Sequence, residues 1–309
     1  MAHNQLSALS PSERNENWIR RVATTLVRTL ASGLARFLVW RGHFQGLRSN
    51  LAVIHRLPQE SPLLDKRVIE NLRNAFVCYL DFFQLACRGP EAIDAACELD
   101  PAALNLIKKH QANGKGVVLV AAHSSSMDIF MLAMSRYFPG MQALTLPQPP
   151  LNTRIMNRLR GKYGIELNPI SSSSLRAAIR HLRTGGIVAI AADVPTQYGA
   201  QLNLFGKPCQ LPIGHTRLAG ATNSAIVVGV AQRLGPGQYR GFGIEVPPGP
   251  GDEDDWAAAV LEVLEQFIME RPQEWFMPPP LWPSPSIPEA PLLLQHRLPP
   301  ALTSRLIRG

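Results

Sequence analysis

Apolar and polar positions change period along this chain, and the changes divide it into regions. From Trp18 to Trp40, Ile19, Val22, Leu26, Val27, Leu30, Leu34, Phe37 and Trp40 share one side of a helix. Arg20, Arg21, Arg28 and Arg36 fall within an arc of about 160° on the other side. From Asn50 to about Gly89 the spacing stays helical through Val68, Leu72, Phe76, Tyr79, Leu80 and Phe83. Asp100-Pro101 reads as an N-cap followed by proline at the first helical position, opening a helix that runs to about Gln111 and stops at Asn113-Gly114.

Beyond Gly116, short wholly apolar runs alternate with helical segments, the pattern of strands buried on both faces of a sheet. Strands are predicted at 116–122, 141–146, 187–192, 225–233 and 239–246. Helices are predicted at 126–138, at 152–161 with a basic face, at 175–183, and at 252–270 with an acidic start. One of Ser124, Ser125 and Ser126 is expected to cap the first of these, and the run Ser171 to Ser174 to cap the third. Ten prolines between 272 and 300 predict an irregular tail wrapped on the surface. The expected fold is therefore α/β: a mixed, largely parallel central sheet flanked by helices, with an N-terminal amphipathic helical region. Its expected parts are a basic region at 1–49, an α/β domain at 50–271 and a Pro-rich C-terminal tail at 272–309.

Charge sharpens the reading of the first region. The chain carries 31 Lys and Arg against 23 Asp and Glu, a net charge of +8. Seven arginines against two glutamates fall in residues 1–50, and no acid occurs from residue 17 to 59. An arginine-only polar face with an aromatic at each end is the composition of a helix lying in a membrane interface. Spanning is disfavoured, because Arg28 and Arg36 would sit at costly depth. The positive balance favours acidic partners, and no basic–aromatic motif of a nucleic-acid binder is present. Met1 to Trp18 lacks the apolar core of a cleavable signal peptide. Cysteines 78, 87, 97 and 209 show no CxxC pair and no metal-ligand spacing with histidine, so free thiols and no metal site are expected.

The candidate chemistry lies in Gly116-Val-Val-Leu-Val-Ala-Ala-His123-Ser-Ser-Ser-Met-Asp128. A histidine ends an apolar strand, where catalytic groups of open α/β sheets gather, and an acid follows just inside a helix. Asp128 bonded to one ring nitrogen would fix the tautomer of His123 and leave the other nitrogen free to take a hydroxyl proton. No serine or cysteine nucleophile is then needed, and no Gly-x-Ser-x-Gly elbow is present. Spacing alone is weak support: 8 His and 23 acids give about 0.6 such pairs by chance, and His55–Glu60 is a second, though Pro58 breaks any helix between them. A structural histidine held by an acid fits the same residues. Asp193 stands at a second strand end, as either a turn-capping aspartate or a group that positions an acceptor hydroxyl. Ser125 and Ser126 are expected to line the site, with nearby backbone N–H groups as oxyanion donors. Arg158 and Arg160 would stabilise that oxyanion or grip a phosphate, unless they form an ordinary solvated helix face.

Taken in order, these features resemble a known family. Gly114-Lys-Gly-Val-Val-Leu-Val-Ala-Ala-His123-x4-Asp128 looks like the HX4D/E motif of glycerolipid and lipid A acyltransferases. Arg48-Ser-Asn50-Leu51, Asp81-Phe-Phe-Gln-Leu85, Arg158-Leu-Arg160 with Gly164, and Ala192-Asp193 with Tyr198-Gly199 follow in the order seen in the bacterial lipid A biosynthesis (lauroyl/myristoyl-type) acyltransferases and related glycolipid acyltransferases. Leu204-Phe205-Gly206, Gly214-x-x-Arg217-Leu-Ala219 and Pro272-Gln-Glu-Trp275-Phe-Met…Trp282 continue it, so the resemblance covers roughly residues 17–282. Departures are Asp128 where those enzymes usually have Glu, Met127 in place of an aromatic, and Val194-Pro195 after Asp193. The glycerol-phosphate acyltransferase motif F-P-E-G-T-R is absent.

The resemblance implies an O-acyltransferase working at a membrane surface, on the cytoplasmic face of the bacterial inner membrane, with His123 as general base. It implies a donor that is an acyl thioester, on acyl carrier protein or coenzyme A, a lipid or glycolipid acceptor, and no further cofactor. Two other classes stay open: a thioesterase or lipase-like hydrolase using water, and a non-catalytic membrane lipid-binding paralogue.

Overall fold

The computed structural model describes residues 26–27, 29–196 and 199–282. Nine strands and the helices around them are numbered in chain order. A seven-stranded sheet runs in the order β1-β9-β8-β2-β5-β3-β4, and a separate antiparallel hairpin pairs β6 with β7. β2 (Val117–Ala121), β3 (Gln142–Thr145), β4 (Glu166–Pro169), β5 (Ile187–Ala191) and β8 (Ala225–Gly235) are mutually parallel. β9 (Gln238–Glu245) returns antiparallel to β8, and β1 (Cys97–Leu99) lies parallel to β9 on the far edge. The mixed, largely parallel sheet expected from the apolar runs is therefore present. β1, β4 and the hairpin β6 (Ala200–Leu204)–β7 (Lys207–Leu211) were not predicted. They are short, and none carries a continuous apolar run.

Alternate residues of the central strands feed two cores. Val118, Val120, Val188, Ile226 and Val228 pack under α8 (Ser172–Arg183), α9 (Gly214–Thr222) and α10 (Glu253–Glu270). Val117, Leu119, Ile187, Val227 and Tyr239 pack under α3 (Pro62–Arg88), α5 (Pro101–Ala112) and α6 (Met127–Tyr137). Covered on both faces, β2 is buried at every position, which is why it reads as an unbroken apolar run. Close seating of α6 requires Gly229 in β8: a Cβ there would come within 2.8 Å of the Phe130 ring.

Asp100 caps α5 through the backbone N–H of Ala102, and Ser171 caps α8 in a box closed by Ser174. α1 (residues 26–27 and 29–40) and α2 (Gln45–His55) lie against the first half of α3 through Ala35, Leu47, Leu51, Leu64, Val68 and Leu72. The small Ala31 and Ala35 face the body, whereas Leu30, Phe37 and Trp40 stand 63%, 52% and 77% exposed. The remaining positions of the predicted amphipathic stripe, from Trp18 through Thr25 and at Arg28, lie outside the described residues. Among the described residues no helix is long and apolar enough to cross a membrane.

The predicted surface tail is not what residues 272–282 form. After a 3-10 turn, Pro272–Glu274, the chain crosses the carboxyl edge of the sheet as a strap, with Trp275 1% exposed and Met277, Leu281 and Trp282 buried. Two buried asparagines hold it. Asn71 of α3 donates to the carbonyls of Pro272 and Trp275, and Asn50 of α2 donates to Met277 and Pro279 and accepts from the Leu281 N–H. Prolines without N–H groups read as loop in the sequence, yet their carbonyls are good acceptors.

Candidate active site

Strand register builds the centre of the site. Ala121 pairs with Ala191, so His123 and Asp193 stand at equal positions beyond the ends of neighbouring parallel strands. His123 Nδ1 lies 2.7 Å from Asp193 Oδ1, and the His123 backbone N–H donates to Asp193 Oδ2 at 2.7 Å. Asp193 is 1% exposed, while the His123 side chain keeps 38% of its surface open. With Nδ1 turned onto the buried acid, Nε2 is the nitrogen left for an incoming hydroxyl.

The electrostatics agree with a tight pair. Burial opposes ionisation of Asp193, but the His123 charge, its two hydrogen bonds and the Trp275 indole hold the carboxyl below its usual range. Burial likewise opposes charging of His123, yet the Asp193 carboxylate, with a further contribution from Asp128, outweighs it and raises the imidazole above its ordinary value.

Asp128 has a different partner from the one expected. It sits 7% exposed in the first turn of α6 and accepts from Arg160 Nε at 2.7 Å and from Arg160 Nη2. Arg160 belongs to α7 (Leu151–Lys162) and also donates to Asn157. A residue one turn into α6 projects toward α7, whereas Asp193 is delivered by the next strand to the ring itself. The acid that orients His123 is thus Asp193, and Asp128 acts on His123 only through its field. Asp193 is in turn too deeply committed to hold an acceptor hydroxyl. Tyr79 of α3 joins the Asp128–Arg160 neighbourhood; burial first, and the Asp128 charge second, push its phenol up to about 12.

The serines are committed to the fold. Both the N–H and the hydroxyl of Ser125 donate to the Glu274 carbonyl, at 2.7 and 3.1 Å. Ser126, completely buried, donates to the Ala231 carbonyl and to the Glu274 carboxylate, so it occupies the N-cap position of α6 without capping it through its side chain. Neither hydroxyl lines an open site, and the Ser125 amide is not free to receive an oxyanion. Arg160 is held by Asp128, which leaves Arg158, exposed on the same helix, as the predicted arginine open to a phosphate.

Sequence reasoning missed Glu274 and Trp275 as members of this neighbourhood. Glu274 is 1% exposed and accepts from the Arg233 N–H, Arg271 and Ser126. Two histidine-and-acid positions at adjacent strand ends were the available signal for the His123–Asp193 pair; nothing comparable marks Glu274. The four cysteines are free thiols, with Cys87 exposed and the others buried.

The model of the family described as bacterial lipid A biosynthesis acyltransferase matches residues 17–284, most of the chain. The chain belongs to this family. It is an acyltransferase. Curated relatives include the phosphatidylinositol mannoside acyltransferases of two Mycobacterium tuberculosis strains, CDC 1551 / Oshkosh and H37Rv. Each is 23% identical over 273 residues, covering 85% of this acyltransferase and 85% of the relative. The protein of the same name from Mycolicibacterium smegmatis is 23% identical over 275 residues, 85% of this chain and 88% of its own.

Proposed function

We propose that this acyltransferase moves a fatty acyl chain from a thioester, on acyl carrier protein or coenzyme A, to a hydroxyl of a membrane glycolipid, with His123 as general base and Asp193 as its orienting acid. The observation that carries the reading is the buried Asp193 carboxylate on Nδ1 of a half-open His123 at the carboxyl edge of the sheet. The acceptor oxygen attacks the thioester carbon as Nε2 takes its proton. The tetrahedral intermediate then breaks its C–S bond, and the departing sulfur takes the proton from the imidazolium, leaving an ester and a free thiol. Asp193 holds the tautomer and stabilises the imidazolium throughout. The relatives' name, phosphatidylinositol mannoside acyltransferase, makes an inositol-phosphate glycolipid the first acceptor to try.

Access to such an acceptor fits the exposed side chains. α1 shows Leu26, Leu30, Leu34, Phe37 and Trp40, with Arg36 on the polar side. α7 shows Leu151 and Ile155 beside Arg154 and Arg158. Apolar and basic residues side by side suit an anionic bilayer interface, and we read the protein as peripheral, on the cytoplasmic face of the inner membrane.

The test is thiol release from a long-chain acyl thioester by wild type and His123→Ala, with and without phosphatidylinositol mannosides, with products followed by mass spectrometry. Acceptor-dependent release, lost in the variant and matched by a lipid one acyl mass heavier, is the expected result. Release indifferent to acceptor identifies a hydrolase, and lipid binding without His123-dependent turnover a binding paralogue.

A further inference from the structure

The His123–Asp193 pair is gripped from outside the sheet. The strap runs antiparallel to the turn that carries His123: Ser124 bridges to Trp275, the Phe276 N–H donates to the His123 carbonyl at 2.9 Å, and the Ser125 N–H donates to the Glu274 carbonyl at 2.7 Å. This places the Trp275 indole, 1% exposed, beside Asp193, with Nε1 donating to Oδ2 at 2.8 Å. The ring is backed by Phe205, 5.9 Å away between centroids. A buried indole N–H takes whatever acceptor the fold supplies. Here that acceptor is the acid already engaged with the histidine.

We propose that Trp275 is a positioning residue for acyl transfer, its indole N–H fixing the rotation of the Asp193 carboxylate so that Oδ1 is presented to Nδ1 of His123. The proposal rests on the reading of His123 as the base. Rotation of an aspartate about Cβ–Cγ is broad, so nothing in the side chain itself chooses the plane in which the carboxylate meets the ring. Two donors on Oδ2, the His123 amide and the indole, make the choice. Removing the indole N–H leaves one donor on Oδ2 and an acceptor site unfilled in a dry environment, which is costly. It also leaves the carboxylate charge less shared, so the imidazolium beside it is held more strongly. The other charged groups near the pair are Asp128 and Arg160, from α6 and α7, and Glu274 with Arg271 and Arg233 beside the strap. None of them is changed by altering the indole.

The test compares Trp275→Phe, which keeps an aromatic ring and loses the donor, with Phe205→Leu, which loosens packing on the same indole without touching Asp193. Donor-thioester KM, kcat and the pH profile of kcat/KM are measured, with His123→Gln alongside. For Trp275→Phe we expect kcat to fall on the order of 10-fold to 100-fold, the worth of a hydrogen bond to a charged group. We further expect KM within about twofold and an acid limb moved to higher pH, whereas Phe205→Leu leaves the limb in place. A wild-type kcat and limb in Trp275→Phe, or the same changes in Phe205→Leu, overturns the proposal and leaves the role of His123 standing. Turnover retained in His123→Gln removes the base reading and the positioning role together. If Trp275→Phe does not fold, the indole ¹⁵N–¹H resonance of Trp275, assigned among the five tryptophans of the wild type, decides. It should titrate at the midpoint of His123, and a resonance indifferent to pH through that range overturns the proposal.

Discussion

Asp128 gives its carboxylate to Arg160 and not to His123. The pair stands beside the imidazole as an unequal dipole: Asp128 favours the charged ring and Arg160 opposes it. Asp128→Asn should therefore lower the acid limb of the kcat/KM profile, because it removes the favourable charge and leaves the arginine unneutralised. A limb that rises or stays would mean that Asp128 is not felt at the ring.

Asp193→Asn should be the more damaging of the two. It keeps the volume of the acid but presents an amide to Nδ1, so the tautomer with its lone pair on Nε2 loses its support. We expect a loss on the order of 10²–10⁴ in kcat, the usual worth of positioned proton transfer, at nearly unchanged donor KM. Single-turnover thiol release measures it directly.

Proton balance also sets how the wild type responds to pH. Catalysis by neutral His123 should fail on the acid side, with a midpoint above the ordinary value of about 6.5, because the folded imidazole is raised. The sign for stability is the reverse. A raised histidine stabilises the fold at low pH and loses that contribution as pH climbs through its folded value. Asp193, lowered in the fold, stabilises it at neutral pH and loses that contribution as pH falls below the ordinary carboxylate range.

His215 imposes an acid limit of another kind. Buried in α9, with no hydrogen-bond partner on either ring nitrogen among the described residues, it is pushed down to about 4 by burial. Unfolded chains bind its proton below about 6.5 and the folded chain does not, so stability should fall between those values. His215→Leu should flatten that part of a melting-temperature profile taken from pH 7 to pH 4.

Gly46 of α2 lies so close to the strap that a Cβ would meet the Pro278 carbonyl at 2.1 Å. Gly46→Ala should cost about 1–3 kcal/mol, the range for overpacking, read by urea unfolding. Activity should fall with it if the strap lifts from the His123 turn.

On α1, Phe37→Glu with Trp40→Glu should weaken co-sedimentation with anionic vesicles, since both rings face outward as a pair with centroids 6.0 Å apart. Hydrolysis or transfer of a soluble thioester should be affected far less than transfer to vesicle-embedded acceptor. Equal losses on both would place α1 in the folded core and not at a membrane.

Legibility followed the range of the interactions. β2, β5 and β8 announced themselves, because strands covered on both faces must be apolar throughout, and the caps at Asp100 and Ser171 are local chemistry. His123 was visible for the same reason: a polar residue at the end of such a strand stands out against it. Its true partner was harder to see, since a separation of five residues suggested Asp128 while the pairing with Asp193 depends on which strands are neighbours. Asn50, Asn71, Glu274 and Trp275 act across as many as 231 residues of sequence, where nothing in the local pattern betrays the contact. Prolines around Trp275 concealed it further, by imitating a tail.

Because that strap is among the last described segments to leave a ribosome, synthesis itself orders the assembly of the site. α1, with its outward Phe37 and Trp40, is made first and can meet a bilayer while the sheet is still incomplete. His123 follows, but its turn stays unbraced until Trp275 emerges about 150 residues later, on the order of ten seconds at ribosomal rates. On the membrane role proposed for α1, a nascent chain would reach its surface before it is able to act there.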